Sequence, residues 1–543
     1  MRPSSSNNGI DADGSLGAGP FRVRPFLLLA LGLFAASVAA WRPVPAGVWH
    51  DDGVYMLVGK AISEGHGLAY AGVVDHPPAA KFPPLYPLVL AVLWTVLDGI
   101  GPVTLAATFL NFGLLAGAGA LFARALVASG TMATGPAVTV AALAYASADV
   151  MRTALLTLSE SLFVFLVAAS LALWPRVEKG DRRESGLLAL ALVAIVATRT
   201  AGLALVLAFA IVLIGRRGVR AAGTTVGPAV AFAGLWGWWS RRASQSIPEG
   251  ARDLLGPYGS WLAEQTLSEP IAFLADLPSH ALGLLERATA MTFPGVTGFW
   301  IWILGLLLVP VALVGLARLL RTFPPLGWFG LVYAAVLLVW PYLDRRLLVP
   351  WHAVLLTALV LGGRQAYRRL DKRGLARVAT GLAAVWVVAY ASVTAGRIAA
   401  GWPTEAYRVR SDRLAASVEA LGRTAPDDAV IGAPEFWAAL HLHGGWTVSP
   451  SVRFDPRNLD TDRPMWGTAE EQLRLWRTLG IDHLLLEQNG VLHGAALDRL
   501  EEACPGTVEV LARMPTSMVV RLAWDDGCDP LRDGDRVRPG SPG

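Results

Sequence analysis

Charge is scarce in this chain. Asp, Glu, Lys and Arg make up 16% of its 543 residues, against 54% that are hydrophobic. That balance excludes a soluble enzyme of this length and points to a polytopic membrane protein. The formal net charge is only +4, and most of the excess is arginine in short loops, so it reads as topology and not as a nucleic-acid partner. Cysteine is nearly absent. Cys504 and Cys528 both lie in the polar C-terminal region, where they could pair if that region is extracytoplasmic or stand as unrelated thiols. No internal repeat and no nucleotide-binding glycine loop is present. Gly444 and Gly445 are isolated and read as a turn. The first apolar run lacks an Ala-x-Ala-type cleavage site, so it reads as a retained anchor.

What the chain does have is apolar length. A span needs about 20 mainly apolar residues, and apolar runs recur near 26–41, 102–123, 136–151, 153–174, 185–198, 200–214, 222–240, 298–317, 326–343, 347–363 and 375–396. The chain carries 20 tryptophans, and Trp236, Trp238 and Trp239 cluster at a span end, as an aromatic belt requires. The run 85–97 decides the topology. If it does not cross, the basic clusters at 176–183, 216–220, 318–321 and 364–373 share one side with Arg22 and Arg24, the side that short basic loops take in the cytoplasm. It is also short for a span, so we read it as a helix that lies at the outer interface or dips in and returns. The expected fold is a polytopic α-helical membrane protein with about 11 transmembrane helices and a small C-terminal α/β domain.

Residues 1–24 read as a disordered cytoplasmic N-terminus, rich in Ser, Gly and Asn. Residues 25–400 form the membrane domain, with outer loops at 42–101 and 241–297, and 401–543 form the extracytoplasmic α/β domain with a flexible end. In that tail, helices are expected at 411–423, 469–479 and 495–503, and strands at 429–433, 481–487, 508–514 and 518–523.

Asp51 and Asp52 follow the first span. Adjacent carboxylates outside a membrane can serve as a general base, a cation site or a solvated turn. His50 beside them is a further possible ligand. Glu160 is expected inside the run 153–174, roughly 10 Å below the outer surface at about 1.5 Å per residue, and an ionisable group there usually faces a cavity. Lys81, Arg199, Arg345 and Arg346 fall at outer ends of spans, against the usual charge bias. They read as anion binders or as side chains reaching lipid phosphates. Asp344 is placed to pair with one of the adjacent arginines. The second loop carries Asp253, Tyr258, Trp261, Glu264, Glu269, Asp276, His280 and Glu286 in no pattern that singles out a site.

Three segments together resemble the C-type integral-membrane glycosyltransferases, in the branch of the protein mannosyltransferases and the lipid A aminoarabinose transferase. They are Trp49-His50-Asp51-Asp52-Gly53-Val54-Tyr55, Lys81-Phe82-Pro83-Pro84-Leu85-Tyr86-Pro87 and Leu158-Ser159-Glu160-Ser161-Leu162-Phe163. The resemblance covers about residues 25–400. It implies an inverting enzyme at the outer face of a bacterial cytoplasmic membrane, with a polyprenyl-phosphate sugar donor, surrounding membrane lipids and a glycan, lipid or protein acceptor. It implies Asp51 as the base, with Asp52 supporting it, and Lys81, Glu160, Arg199, Arg345 and Arg346 as substrate and phosphate binders. A divalent cation could be held by Asp51, Asp52 and Glu160. Many relatives have Asp-Glu where this chain has Asp-Asp, and the shorter second side chain shifts where a cation would sit. A flippase for lipid-linked glycans is the main alternative, although no inverted repeat supports it. A non-catalytic scaffold presenting the tail is the other.

Overall fold

The computed structural model describes residues 23–49, 51–248, 251–257, 270–340, 344–369, 373–452, 467–487, 493–524 and 530–531. The expectations for residues 1–22, His50, Tyr258, Trp261, Glu264, Glu269 and Cys528 fall outside the described residues.

Nine of the eleven apolar runs fall, in their described residues, on one helix each, and the other two are divided among three helices. In chain order the membrane domain contains α1 (Arg24–Ala40), α2 (Asp51–Ser63), α3 (Leu85–Val96), α4 (Ile100–Ala128), α5 (Thr134–Tyr145), α6 (Ala148–Leu155), α7 (Glu160–Glu178), α8 (Arg182–Thr198), α9 (Leu203–Arg217) and α10 (Val219–Ser244). It continues with α11 (Arg252–Leu255), α12 (Pro270–Thr292), α13 (Phe299–Thr322), α14 (Pro324–Val339), α15 (Val349–Arg369) and α16 (Arg373–Ala399). Six segments are long and apolar enough to cross a membrane, namely Ile100–Ala128, Glu160–Glu178, Thr200–Arg217, Phe299–Thr322, Arg345–Arg368 and Thr380–Ala399. α1, α3, α5 and α14 are apolar but shorter. The 12 residues of α3 reach about 18 Å, well short of the roughly 30 Å hydrocarbon core. α3 packs on α2, with Tyr86 and Leu90 buried and Leu88, Val92 and Val96 exposed on its other side. α12 lies within the segment 241–297, which the sequence reading left as a loop.

One expectation needs correction. The runs 136–151 and 153–174 do not form two uninterrupted spans. α5 stops at Tyr145, α6 is a separate short helix, and α7 begins only at Glu160. The chain between α6 and α7 is extended at Leu156, and Asn111 of α4 holds it there by donating to Leu156 O at 2.8 Å. Leu156 and Leu158 are as apolar as a span, so hydropathy alone does not reveal the break. Glu160 therefore sits at a helix N-terminus and not within a helix, and there the aligned peptide dipoles favour a negative charge.

The C-terminal region is a small α/β domain. It contains α17 (Trp402–Thr424), β1 (Val430–Ala433), α18 (Trp437–Gly444), β2 (Thr447–Pro450), α19 (Ala469–Thr478), β3 (His483–Glu487), α20 (Gly494–Ala503), β4 (Val508–Arg513) and β5 (Ser517–Leu522). The sheet order is β2-β1-β3-β5-β4. β1 runs parallel to β2 and β3 (Ile431 opposite Val448 and His483), whereas β5 runs antiparallel to β3 and β4. A capping box of Thr468 and Glu471 starts α19. α18 and β2 were not expected from the sequence. Cys504 is held in a disulfide, and Cys528 is the only other cysteine in the chain.

Two cores are present. One fills the membrane bundle around α4, α7, α9 and α15. The second is shared: Val54, Leu57, Tyr70 and Tyr86 of the first outer loop are continuous with Trp437, Leu440, Leu484 and Val519 of the α/β domain.

Candidate active site

The site is built where α2, α7 and a short 3-10 turn at Arg345–Leu348 meet. The turn at residues 46–49 leads into α2, with Gly47 at φ 94°, a conformation open to glycine and strained for other residues. The two carboxylates then part. Asp52 turns back and accepts hydrogen bonds from Gly47 N (2.9 Å) and Trp49 N (3.0 Å). It is 1% exposed, and burial pushes its carboxyl up to about 6 against the pull of those amides. Asp51 turns the other way, and Arg346 Nη1 donates to its Oδ2 at 2.6 Å.

Arg346 is placed by its own turn. Asp344 caps that turn by accepting Arg346 N at 3.0 Å, and its other oxygen lies 3.2 Å from Arg346 Nε. Tyr333 of α14 pins the same turn by donating to Leu347 O at 2.9 Å. The guanidinium is thus held between two carboxylates.

A second ion pair lies one helical turn away. Tyr55, four residues after Asp51 and so on the same face of α2, lies 3.0 Å from Ser159 Oγ. Arg199, between α8 and α9, donates to Ser159 Oγ at 3.2 Å and to Glu160 Oε1 at 2.6 Å. Glu160 is 2% exposed, and its Oε2 has no hydrogen-bond partner among the described residues. Arg199 and Arg346 are close enough to repel one another electrostatically.

Sequence reasoning missed two members of this cluster. Asp149 and Arg152 of α6 approach Arg345 (3.8 Å) and Asp344 (3.9 Å). An acid and a base three residues apart at the end of an otherwise apolar run were the available cue. Asp344, expected to pair with a neighbouring arginine, does so with Arg346.

Lys81 lies on the adjoining wall. Its Nζ donates to Leu254 O at 3.1 Å beside α11, and Tyr70 donates to Leu255 O at 3.1 Å. The structure therefore joins Asp51 to Arg346 and Glu160 to Arg199, sets Arg345 at the rim with its side chain 40% exposed, and turns Asp52 inward. The three acids expected to hold a cation do not converge. Asp51 and Glu160 each face an arginine, Asp52 faces backbone amides, and no cluster of three or more metal-ligating side chains exists among the described residues. These residues do not fit a divalent cation in this arrangement.

The α/β domain grips the loop that carries Asp51. A Cβ on Gly47 would lie 2.4 Å from Ala439 Cβ of α18, and one on Gly53 would lie 3.1 Å from Ala438 Cβ. His443 Nε2 is 3.0 Å from Ala46 O, and Val448 N donates to Gly72 O at 2.7 Å. Trp49 is approached by the guanidinium groups of Arg152 and Arg410, each 5.8 Å from its ring, and meets Tyr407 edge-on. Arg410 is itself fixed by Glu435 at 2.6 Å.

No family model and no curated protein matches the sequence. Solved structures do resemble it. A structure of ArnT from Cupriavidus metallidurans bound to undecaprenyl phosphate is 13% identical, with a TM-score of 0.51, over 92% of this chain and 97% of that one. A structure of the Archaeoglobus fulgidus oligosaccharyltransferase in complex with zinc and sulfate is 10% identical, with a TM-score of 0.50, over 84% of this chain and 68% of that one. The chain thus has the fold of the C-type integral-membrane glycosyltransferases. It is a multi-pass membrane protein whose acids and arginines meet where the segment 42–101 joins the bundle.

Proposed function

We propose that the protein is an inverting glycosyltransferase that moves a sugar from a polyprenyl-phosphate-linked donor to a hydroxyl acceptor at the outer face of a bacterial cytoplasmic membrane. The observation that carries this reading is the contact of Asp51 with Arg346 at 2.6 Å, at the head of a helix joined to an apolar bundle. The fold supports it, as does the undecaprenyl phosphate held by the similar ArnT. The sidedness rests on the charge pattern of the sequence: read with 85–97 at the interface, the basic loops share the side of Arg24 and Asp51 faces outward.

The acceptor hydroxyl gives its proton to Asp51, and its oxygen attacks the anomeric carbon opposite the phosphate. The bond from that carbon to the phosphate oxygen breaks, and the electron pair leaves with the polyprenyl phosphate. Charge grows on the departing phosphate, where Arg346 and Arg199 stabilise it. Arg346 has a double use. An arriving phosphate draws it away from Asp51, and a carboxylate relieved of its cation is the stronger base. The unpartnered Oε2 of Glu160 accepts a sugar hydroxyl. Lys81 adds a point charge on the adjoining wall, and Arg345 serves at the rim.

Asp51→Asn keeps the shape and removes the base. Transfer from a labelled lipid donor in proteoliposomes falls at least about a hundredfold, with membrane level and insertion unchanged. Full activity in that variant removes Asp51 from its role. Movement of labelled lipid with no new glycosidic bond identifies a flippase instead.

A further inference from the structure

The C-terminal ends of α13 and α15, the ends away from Asp51, flank a small surface cavity of about 20 Å³, open to solvent and lined by Thr131, Arg318, Leu361, Arg364, Gln365 and Arg368. We propose that this cavity binds a phosphate-bearing anion, with the three guanidinium groups as its ligands.

Three of the six lining side chains are cationic and none is acidic. Among the described residues no carboxylate lies within ion-pair distance of any of the three arginines, whereas Arg176 and Arg216, in other basic loops, pair with Glu184 and Glu178. A loop that needed only positive charge for topology would be served equally well by paired arginines. Here the charges face one another across a small space and repel.

The helices cannot move apart to relieve that repulsion without losing their contact. α13 and α15 run side by side with touching backbones. A Cβ on Gly315 would lie 1.7 Å from Ala358 O, and one on Gly362 would lie 2.0 Å from Val311 O. Arg318 follows Gly315 by three residues, and Arg364 and Arg368 follow Gly362 by two and six, so this contact fixes how far apart they start. Arg318 Nη1 donates to Gln365 Oε1 at 3.2 Å across the same gap. An anion resolves the arrangement, and guanidinium groups match the oxygens of a phosphate.

Two sources supply such a phosphate: an anionic lipid headgroup or a soluble phosphate. The surroundings suit the lipid. Leu306, Leu307 and Leu313 of α13 are exposed along the helix leading to the cavity, where acyl chains would run, and basic pockets between membrane helices are common headgroup sites. The inference stands apart from the catalytic reading and does not depend on it.

The test uses the full chain, purified in detergent and stripped of lipid. Dihexanoyl phosphatidylglycerol, dihexanoyl phosphatidylcholine and inorganic phosphate are titrated while the thermal midpoint is followed. The expected result is a rise with phosphatidylglycerol and none with phosphatidylcholine. Arg364→Gln/Arg368→Gln, at exposed helical positions that tolerate the change, binds at least about tenfold more weakly. Arg364→Lys/Arg368→Lys recovers part of that loss. A rise with inorganic phosphate, lost in the same variant, supports the site and names free phosphate as its source. An equal rise with phosphatidylcholine, no rise with any probe, or an unchanged response in the Gln variant overturns the proposal.

Discussion

Two adjacent aspartates have opposite fates. Asp51 faces an arginine in the site, whereas Asp52 ties down the turn that presents it. Because Asp52 holds its proton to about 6 in the folded chain against 3.8 ordinarily, the folded state binds the proton more tightly than the unfolded one. Its contribution to stability is therefore full below about pH 4 and declines as pH rises towards 6, by at most about 3 kcal/mol for a shift of this size. Asp52→Asn abolishes that dependence. The thermal midpoint of the wild type, measured at about pH 4 and about pH 7, should differ more than that of the variant. Equal differences would show that Asp52 is ionised across the range. The sequence exposed the doublet as a candidate, because paired acids beside an apolar segment are unusual. The family resemblance named Asp51 as the acid in the site, but the residues themselves did not show how Asp52 would be held, since that depends on the amides of Gly47 and Trp49.

At the scale of elements, hydropathy located each membrane helix but not the breaks between them. The interval from Leu156 to Ser159 is apolar enough to pass for helix, and it is contacts from elsewhere, Asn111 donating to Leu156 O and Thr157 donating to Asp52 O, that hold it out of one. That break turns Glu160 from a residue within a span into the first residue of α7, facing Arg199. In the tail, periodicity identified β3, β4, β5, α19 and α20. It missed α18 and β2, whose eight and four residues are too few to show a period. α18 matters most among the missed elements, because Ala438 and Ala439 meet the glycines at 47 and 53. Gly47→Ala adds a methyl against Ala439 and forces a left-handed alanine, costing about 1–2 kcal/mol from the backbone alone. Transfer activity should fall more than protein level, since the turn that aims Asp51 is displaced. The double variant Gly47→Ala/Ala439→Gly removes the methyl–methyl clash but keeps the close approach to the residue 439 backbone at 2.9 Å and the backbone strain, so it should recover only part of the activity. Identical kinetics in the single variant and the wild type would mean that α18 does not hold the turn.

At the scale of the whole molecule, the second core decides how the parts depend on one another. Most of its apolar residues come from the segment 42–101 and from the C-terminal domain, with a few such as Val103, Leu158 and Leu255 between them, so the α/β domain is not a module hung on a finished bundle. A chain ending near residue 400 leaves Tyr70, Leu57 and Val48 uncovered. It should insert in the membrane yet show rapid proteolysis within residues 46–80 and no transfer, measured by limited digestion and by lipid-donor assay. Persistence of a protected loop in the shortened chain would show that the domains fold separately.

The interlock at Trp49 also sets an order of events during synthesis. Arg152 emerges about a hundred residues after Trp49, and Arg410 and Glu435 some hundreds later still, yet all three fix that ring or its clamp. The newborn protein can thread its helices into the bilayer long before this clasp closes. Until the final stretch is made and packed down, Asp51 sits on an unfastened loop, and a half-made chain lacks the contacts that hold it.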